Sequence, residues 1–193
     1  MMRQFPVEFS ISAGACIWGC LLILLAPLDL VLAIYAATAV HELCHILALR
    51  CFRVRIICIS LGINGAAIQT SPLPLKQELI CAAAGPLGSF LCILLLNFFP
   101  LVAFCGLIQG LYNLLPVYPM DGGRILRCLS LLLFPDRSPL ICNAATAVTI
   151  SLIAILGVIL YLRTSDRLYL LIAFYFLFQT RASRKIPCKG HQY

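Results

Sequence analysis

The stretch Val40-His41-Glu42-Leu43-Cys44-His45 contains an H-E-x-x-H pattern. On a helix, residues four apart lie about 40° apart in projection, so the imidazoles of His41 and His45 share one face and can grip a single zinc ion. Glu42 sits one residue round from His41, where its carboxylate can take a proton from water at the metal instead of binding the metal itself. The arrangement is half of a hydrolytic site. With 3 His and 7 acidic residues in 193, chance would produce it in roughly one such chain in several hundred. A purely structural use, as hydrogen bonds between helices, is opposed by the cost of ionisable groups inside a membrane span, about 2.5 to 3.5 kcal/mol each.

Two histidines leave zinc short of a third protein ligand, with the fourth position open to water. Apart from Glu42, the acidic residues are Glu8, Asp29, Glu78, Asp121, Asp136 and Asp166, and the topology derived below puts Glu8, Asp29 and Asp166 at the wrong ends of their segments. Asp121 stands out. It closes Asn113-Leu114-Leu115-Pro116-Val117-Tyr118-Pro119-Met120-Asp121-Gly122-Gly123, where Pro116 and Pro119 must break a helix near membrane depth, and broken backbone at that depth is tolerated only against protein or a water-filled cavity. The competing use of Asp121 is as N-cap of an amphipathic segment over 122–134.

The elements that carry these residues follow from composition. Of 193 residues, 62% are apolar and 11% charged, and the mean hydropathy is +1.02. So few polar side chains cannot cover a soluble surface, which excludes a water-soluble enzyme, a disordered tail and a disulfide-stapled secreted module. Eleven cysteines without a C-x-x-C pair, mostly inside apolar runs, read as small hydrophobes. Apolar runs between breakers predict six spans, at 11–27, 29–49, 79–99, 101–118, 139–162 and 167–180. The expected fold class is an all-α polytopic membrane protein of six transmembrane helices, with a small membrane-surface β-hairpin between helices 2 and 3. That hairpin is read over 52–70 from β-branched residues around Asn64-Gly65; a plain connecting loop is the alternative.

The net charge of +7 records topology, not nucleic-acid binding. With both termini cytoplasmic, Arg3, Arg50, Arg53, Arg55, Lys76, Arg124, Arg127, Arg137, Arg181, Arg184, Lys185 and Lys189 fall inside and only Arg163 and Arg167 outside. His41 and His45 then lie in the last two turns of the second span and Asp121 at the inner end of the fourth, so both reach the cytoplasmic leaflet.

On these residues the chain resembles the site-2 protease family of intramembrane zinc metalloproteases (peptidase M50), including its sporulation-type branch. His41 to His45 resembles the family's metal-binding helix, Asn113 to Pro116 and Pro119 to Gly122 its second motif, and Ala84-Gly85-Pro86-Leu87-Gly88-Ser89 its small-residue motif. The resemblance covers residues 41 to 123. It implies Zn2+ held by His41, His45 and Asp121, Glu42 as general base, and Asn113 against the scissile carbonyl or its oxyanion; read from the residues alone, Asn113 is equally a hydrogen bond between helices. It further implies a transmembrane or membrane-associated protein substrate cut near the cytoplasmic leaflet, in regulated intramembrane proteolysis within a bacterial cell membrane, and a regulatory membrane partner. Substrate pairing would fall to the 52–70 strands, since a peptide must be extended to be cut. The expected organisation is one membrane-embedded domain over 1–193 with neither a CBS-like nor a PDZ-like domain. Cys44, in a slot the family often fills with Gly, is read as packing, and the small-residue run from Ala82 to Ser89 on the third helix as the seat of the metal helix. The rival readings are a metal-ion transporter, which would need ligands through both leaflets, and an inactive membrane scaffold.

Overall fold

The computed structural model describes residues 8–62 and 65–164, so the span expected over 167–180, Asn64 of the expected turn and the basic terminal residues lie outside the described residues. The chain divides into two compact units, Met1–Asn113 and Leu114–Tyr193. Three helical stretches, Leu28–Cys51, Leu75–Leu95 and Pro135–Thr164, are long and apolar enough to cross a bilayer. Their outward faces carry exposed Leu43 and Leu47, or Leu152 and Leu156, while small residues fill the contacts between helices, as a lipid solvent demands. It is a membrane protein built mainly of helices.

The first unit opens with strand β1 (Glu8–Ile11) and helix α1 (Ala13–Leu25), whose N-cap Ser12 accepts a hydrogen bond from Ala15 N–H at 3.2 Å. Helix α2 (Leu28–Cys51) follows directly after Pro27, with Asp29 in its first turn and Arg50 in its last, both signs matched to the helix dipole. Its buried positions Ala37, His41, His45 and Leu49 recur every four residues, so the metal-binding pair belongs to the packed stripe. Strands β2 (Ile56–Gly62) and β3 (Gly65–Thr70) pair antiparallel, which realises the expected hairpin. β1 adds to it in parallel, with Glu8 opposite Cys58 and Ile11 opposite Leu61, giving the sheet order β1-β2-β3. That third strand was not anticipated, because four residues are too few to show a period. Helix α3 (Leu75–Leu91) continues through a 3-10 turn (Cys92–Leu95) to helix α4 (Pro100–Asn113), and α2, α3 and α4 pack on one another.

The end of α2 carries a testable local feature. Arg53 has φ 56°, with its N–H on Arg50 O at 2.9 Å and Val54 N–H on Leu49 O at 3.0 Å. This is a Schellman closure whose left-handed position, normally glycine, holds arginine. Left-handed backbone costs a non-glycine residue about 1–2 kcal/mol, against about 0.5–1 kcal/mol of extra chain entropy for glycine. Arg53→Gly is therefore expected to raise the melting temperature in detergent by a few degrees; a lower melting temperature would show that the arginine side chain outweighs the strain.

In the second unit, residues 114–120 form an irregular turn containing a cis Tyr118-Pro119 bond, followed by α5 (Asp121–Leu133), a 3-10 turn (Pro135–Arg137) and α6 (Ser138–Thr164). Ser130 Oγ meets Ser138 Oγ at 2.6 Å, pinning the α5–α6 corner, and Thr146 Oγ1 donates to Pro116 O at 3.3 Å. The helix expected over 101–118 stops at Asn113, since Pro116 lacks the N–H to continue it and biases the residue before it away from helix. The span expected over 11–27 gives its first residue to β1 and yields only the 13-residue α1. None of the ten cysteines within the described residues is in a disulfide.

Candidate metal centre

α2 and α3 run antiparallel, and the small residues of α3 let the histidine face of α2 lie close against it. Positions 81, 85 and 89 of α3 are spaced as the histidines are. His45 Nδ1 stands 2.7 Å from Cys81 O and His41 Nδ1 2.8 Å from Ser89 Oγ, both in buried surroundings, and Gly85 lies between them. A carbonyl only accepts, so His45 Nδ1 is the donor in that bond, and in the neutral ring Nε2 then carries the lone pair that a metal ion takes. The two Nε2 atoms approach to 3.2 Å, with the rings edge to face at 4.8 Å between centroids. A side-chain methyl at Gly85 would run into His45 Nε2 and come within 2.8 Å of His41 Nε2. Two nitrogens bound to one tetrahedral zinc at about 2.05 Å stand about 3.3 Å apart. The pair therefore fits the ion, and the absent side chain at 85 keeps the space for it.

Glu42, on the same turn, is half-buried. Cys44 lies on the next flank of α2, where a methyl at Gly88 would meet its Sγ and, at 2.9 Å, its Cβ. Its thiol fills the space that glycine leaves, which is the packing role expected of it.

Asp121 is the first residue of α5 and is buried. The N-cap is Met120, without a side-chain capping bond, so the alternative use of Asp121 as N-cap is overturned: the helix begins one residue earlier than the expected 122–134. Its carboxylate sits at the positive end of the helix, 3.6 Å from Arg124 Nη1. Gly122 and Gly123 exist for close approach, because methyl groups there would strike the backbone of Leu114 and Leu115, and of Val117 and Tyr118, respectively. The turn of 114–120 is thus folded directly onto the first turn of α5. His41, His45 and Asp121 are each buried, and each offers one ligand atom of a kind that a metal ion takes.

Asn113 ends α4, half-buried, and its amide nitrogen donates to Gln109 O at 3.2 Å, a bond within its own helix. Gln109 Oε1 accepts at 3.5 Å from Thr38 of α2, whose hydroxyl also reaches Ile34 O. The last turns of α4 are therefore held beside α2 one turn ahead of His41.

Sequence reasoning missed Ser89 and the Cys81 carbonyl as partners of the histidines. The available signal was the four-residue spacing of Cys81, Gly85 and Ser89 beside the four-residue spacing of the histidines.

Among known proteins, a zinc metalloprotease of Methanocaldococcus jannaschii is 31% identical over 137 residues, 64% of this chain and 38% of the relative. The solved structure of the site-2 protease from Methanocaldococcus jannaschii superposes with a TM-score of 0.64 over 100% of this chain and 99% of that one, at 21% identity. This chain is similar to the site-2 proteases. It has their fold, and the resemblance read from its motifs is borne out. The chain spans about two fifths of the length of the curated relative it matches. No protein-family model matches it.

Proposed function

We propose that the chain is an intramembrane zinc metalloendopeptidase that hydrolyses peptide bonds of membrane-embedded or membrane-adjacent protein segments near the cytoplasmic leaflet. The observation that carries this reading is the pair of imidazoles, anchored through Nδ1 and converging through Nε2 on a space that Gly85 keeps open. The relative's description as a zinc metalloprotease supports it.

In this reading His41, His45 and Asp121 hold the metal, which when bound supplies Lewis acidity to a scissile carbonyl and acidity to water. Two neutral imidazoles and one carboxylate suit a divalent cation, since the single negative charge offsets part of the ion's charge inside a low-dielectric site. Glu42, on the helical turn between the histidines, accepts a proton from the attacking water and returns it to the leaving amine. Asn113, at the end of α4, donates a hydrogen bond to the carbonyl oxygen as negative charge develops there. The β1-β2-β3 sheet offers strand edges on which a substrate unwinds into extended form.

Six crossings with both ends cytoplasmic, in a bacterial cell membrane, complete the proposal. Support comes from the basic residues that follow α2 and line α5. A membrane partner would regulate access.

Metal removal tests the reading. Prolonged chelation of the purified protein should abolish cleavage of a membrane substrate, and zinc added back should restore it. His41→Ala should retain less than a tenth of the zinc of the unaltered protein. Cleavage that survives quantitative loss of zinc would overturn the proposal.

A further inference from the structure

The two histidines are anchored by different chemistry. His45 faces a main-chain carbonyl, Cys81 O, which can only accept and which no side-chain change removes. His41 faces a hydroxyl, Ser89 Oγ, at 2.8 Å, which can donate or accept by rotating about one bond. For His41 to offer Nε2 as a ligand its proton must reside on Nδ1, and Ser89 is placed to accept from that Nδ1–H. Ser89 is fully buried at 0% exposure on the face of α3 that meets α2. It lies two helical turns beyond Cys81, with Gly85 midway, so hydroxyl, glycine and carbonyl form one row along the histidine pair. A buried hydroxyl in an apolar bundle needs a polar partner, and the imidazole is the partner the fold supplies.

We infer that Ser89 is the positioning residue of His41: its hydroxyl, by accepting from Nδ1–H, fixes the ring's rotation and tautomer so that Nε2 is presented bare to the metal. The inference rests on the metal reading above. It deepens that reading by assigning the outer partner of one ligand to the small-residue helix, whose other positions act through their lack of bulk. Outer-shell partners of metal-bound histidines are typically worth about 10- to 100-fold in metal affinity.

The experiment is a zinc competition titration against a chromophoric chelator, on purified full-length protein in detergent, with melting of the metal-free forms measured alongside. The forms compared are the unaltered chain, Ser89→Ala, Ser89→Thr and His41→Ala. Ser89→Ala should bind zinc about 10- to 100-fold more weakly, Ser89→Thr, which keeps the hydroxyl, should recover most of the loss, and the metal-free melting temperature of Ser89→Ala should stay near that of the unaltered chain. Unchanged affinity in Ser89→Ala, with His41→Ala still deficient, would overturn the assignment and leave the zinc reading standing. Equal losses in the Ala and Thr forms, or a loss accompanied by a large drop in metal-free melting temperature, would also overturn it, since the residue would then act by packing. If the unaltered chain binds zinc no better than His41→Ala, the zinc reading falls and takes the assignment with it.

Discussion

Glu42→Gln is expected to lower peptide-bond cleavage by about 10²- to 10⁴-fold, the range over which a positioned general base contributes, while zinc content stays unchanged. The substitution keeps the shape of the side chain and removes only its ability to accept a full proton. Glu42 lies on the α2 turn that begins at His41, half-buried and outside the buried stripe of Ala37, His41, His45 and Leu49. Its loss therefore leaves untouched both the histidine anchors on Ser89 and Cys81 O and the packing of α2 on α3. The measurement is cleavage of a membrane substrate in detergent or liposomes, normalised to bound zinc. Cleavage by the Gln form within a factor of three of the unaltered chain would remove Glu42 from the mechanism. A parallel loss of zinc would instead place its carboxylate among the ligands.

The elements that were legible in the sequence are those whose cause is local. H-E-x-x-H specifies a face only if it is helical, and the apolar run from Leu28 onward leaves no other structure for it in lipid. The prolines at 116 and 119 and the following pair of glycines marked the break before Asp121, because each removes a helical hydrogen bond or a side chain, whatever surrounds it. What could not be read depends on pairing at a distance. Glu8–Ile11 becomes a strand only because Cys58–Leu61 lies beside it. The short reach of α1 and the stop of α4 at Asn113 were blurred by hydropathy, which continues smoothly through residues that are apolar but not helical. Ser89 was hidden for a related reason: in the motif Ala84 to Ser89 its size was legible, whereas its hydroxyl has meaning only once Nδ1 of His41 is 2.8 Å away.

The same row of α3 yields the second large expected effect, the loss of zinc binding in Gly85→Ala. By helix propensity alone the change should help, since alanine in a helix interior is favoured over glycine by about 0.5–1 kcal/mol. The surroundings reverse the sign. The added methyl would overlap His45 Nε2 and Cε1 and lie 2.8 Å from His41 Nε2, so either α3 must retreat from α2 or the rings must turn. Turning them breaks the bonds from Nδ1 to Cys81 O and Ser89 Oγ, and retreat lengthens both bonds together. Each response removes at least one nitrogen from the position that a shared ion requires. Zinc affinity should fall by at least about 100-fold, the upper end of what an outer-shell disruption costs, and cleavage should fall with it. Since the methyl acts at the donor atoms, excess zinc should restore activity only at concentrations raised in proportion. Zinc titration of the Ala form settles the matter: affinity equal to that of the unaltered chain would mean that the two imidazoles do not converge against α3, and the proposed metal centre would lose its floor.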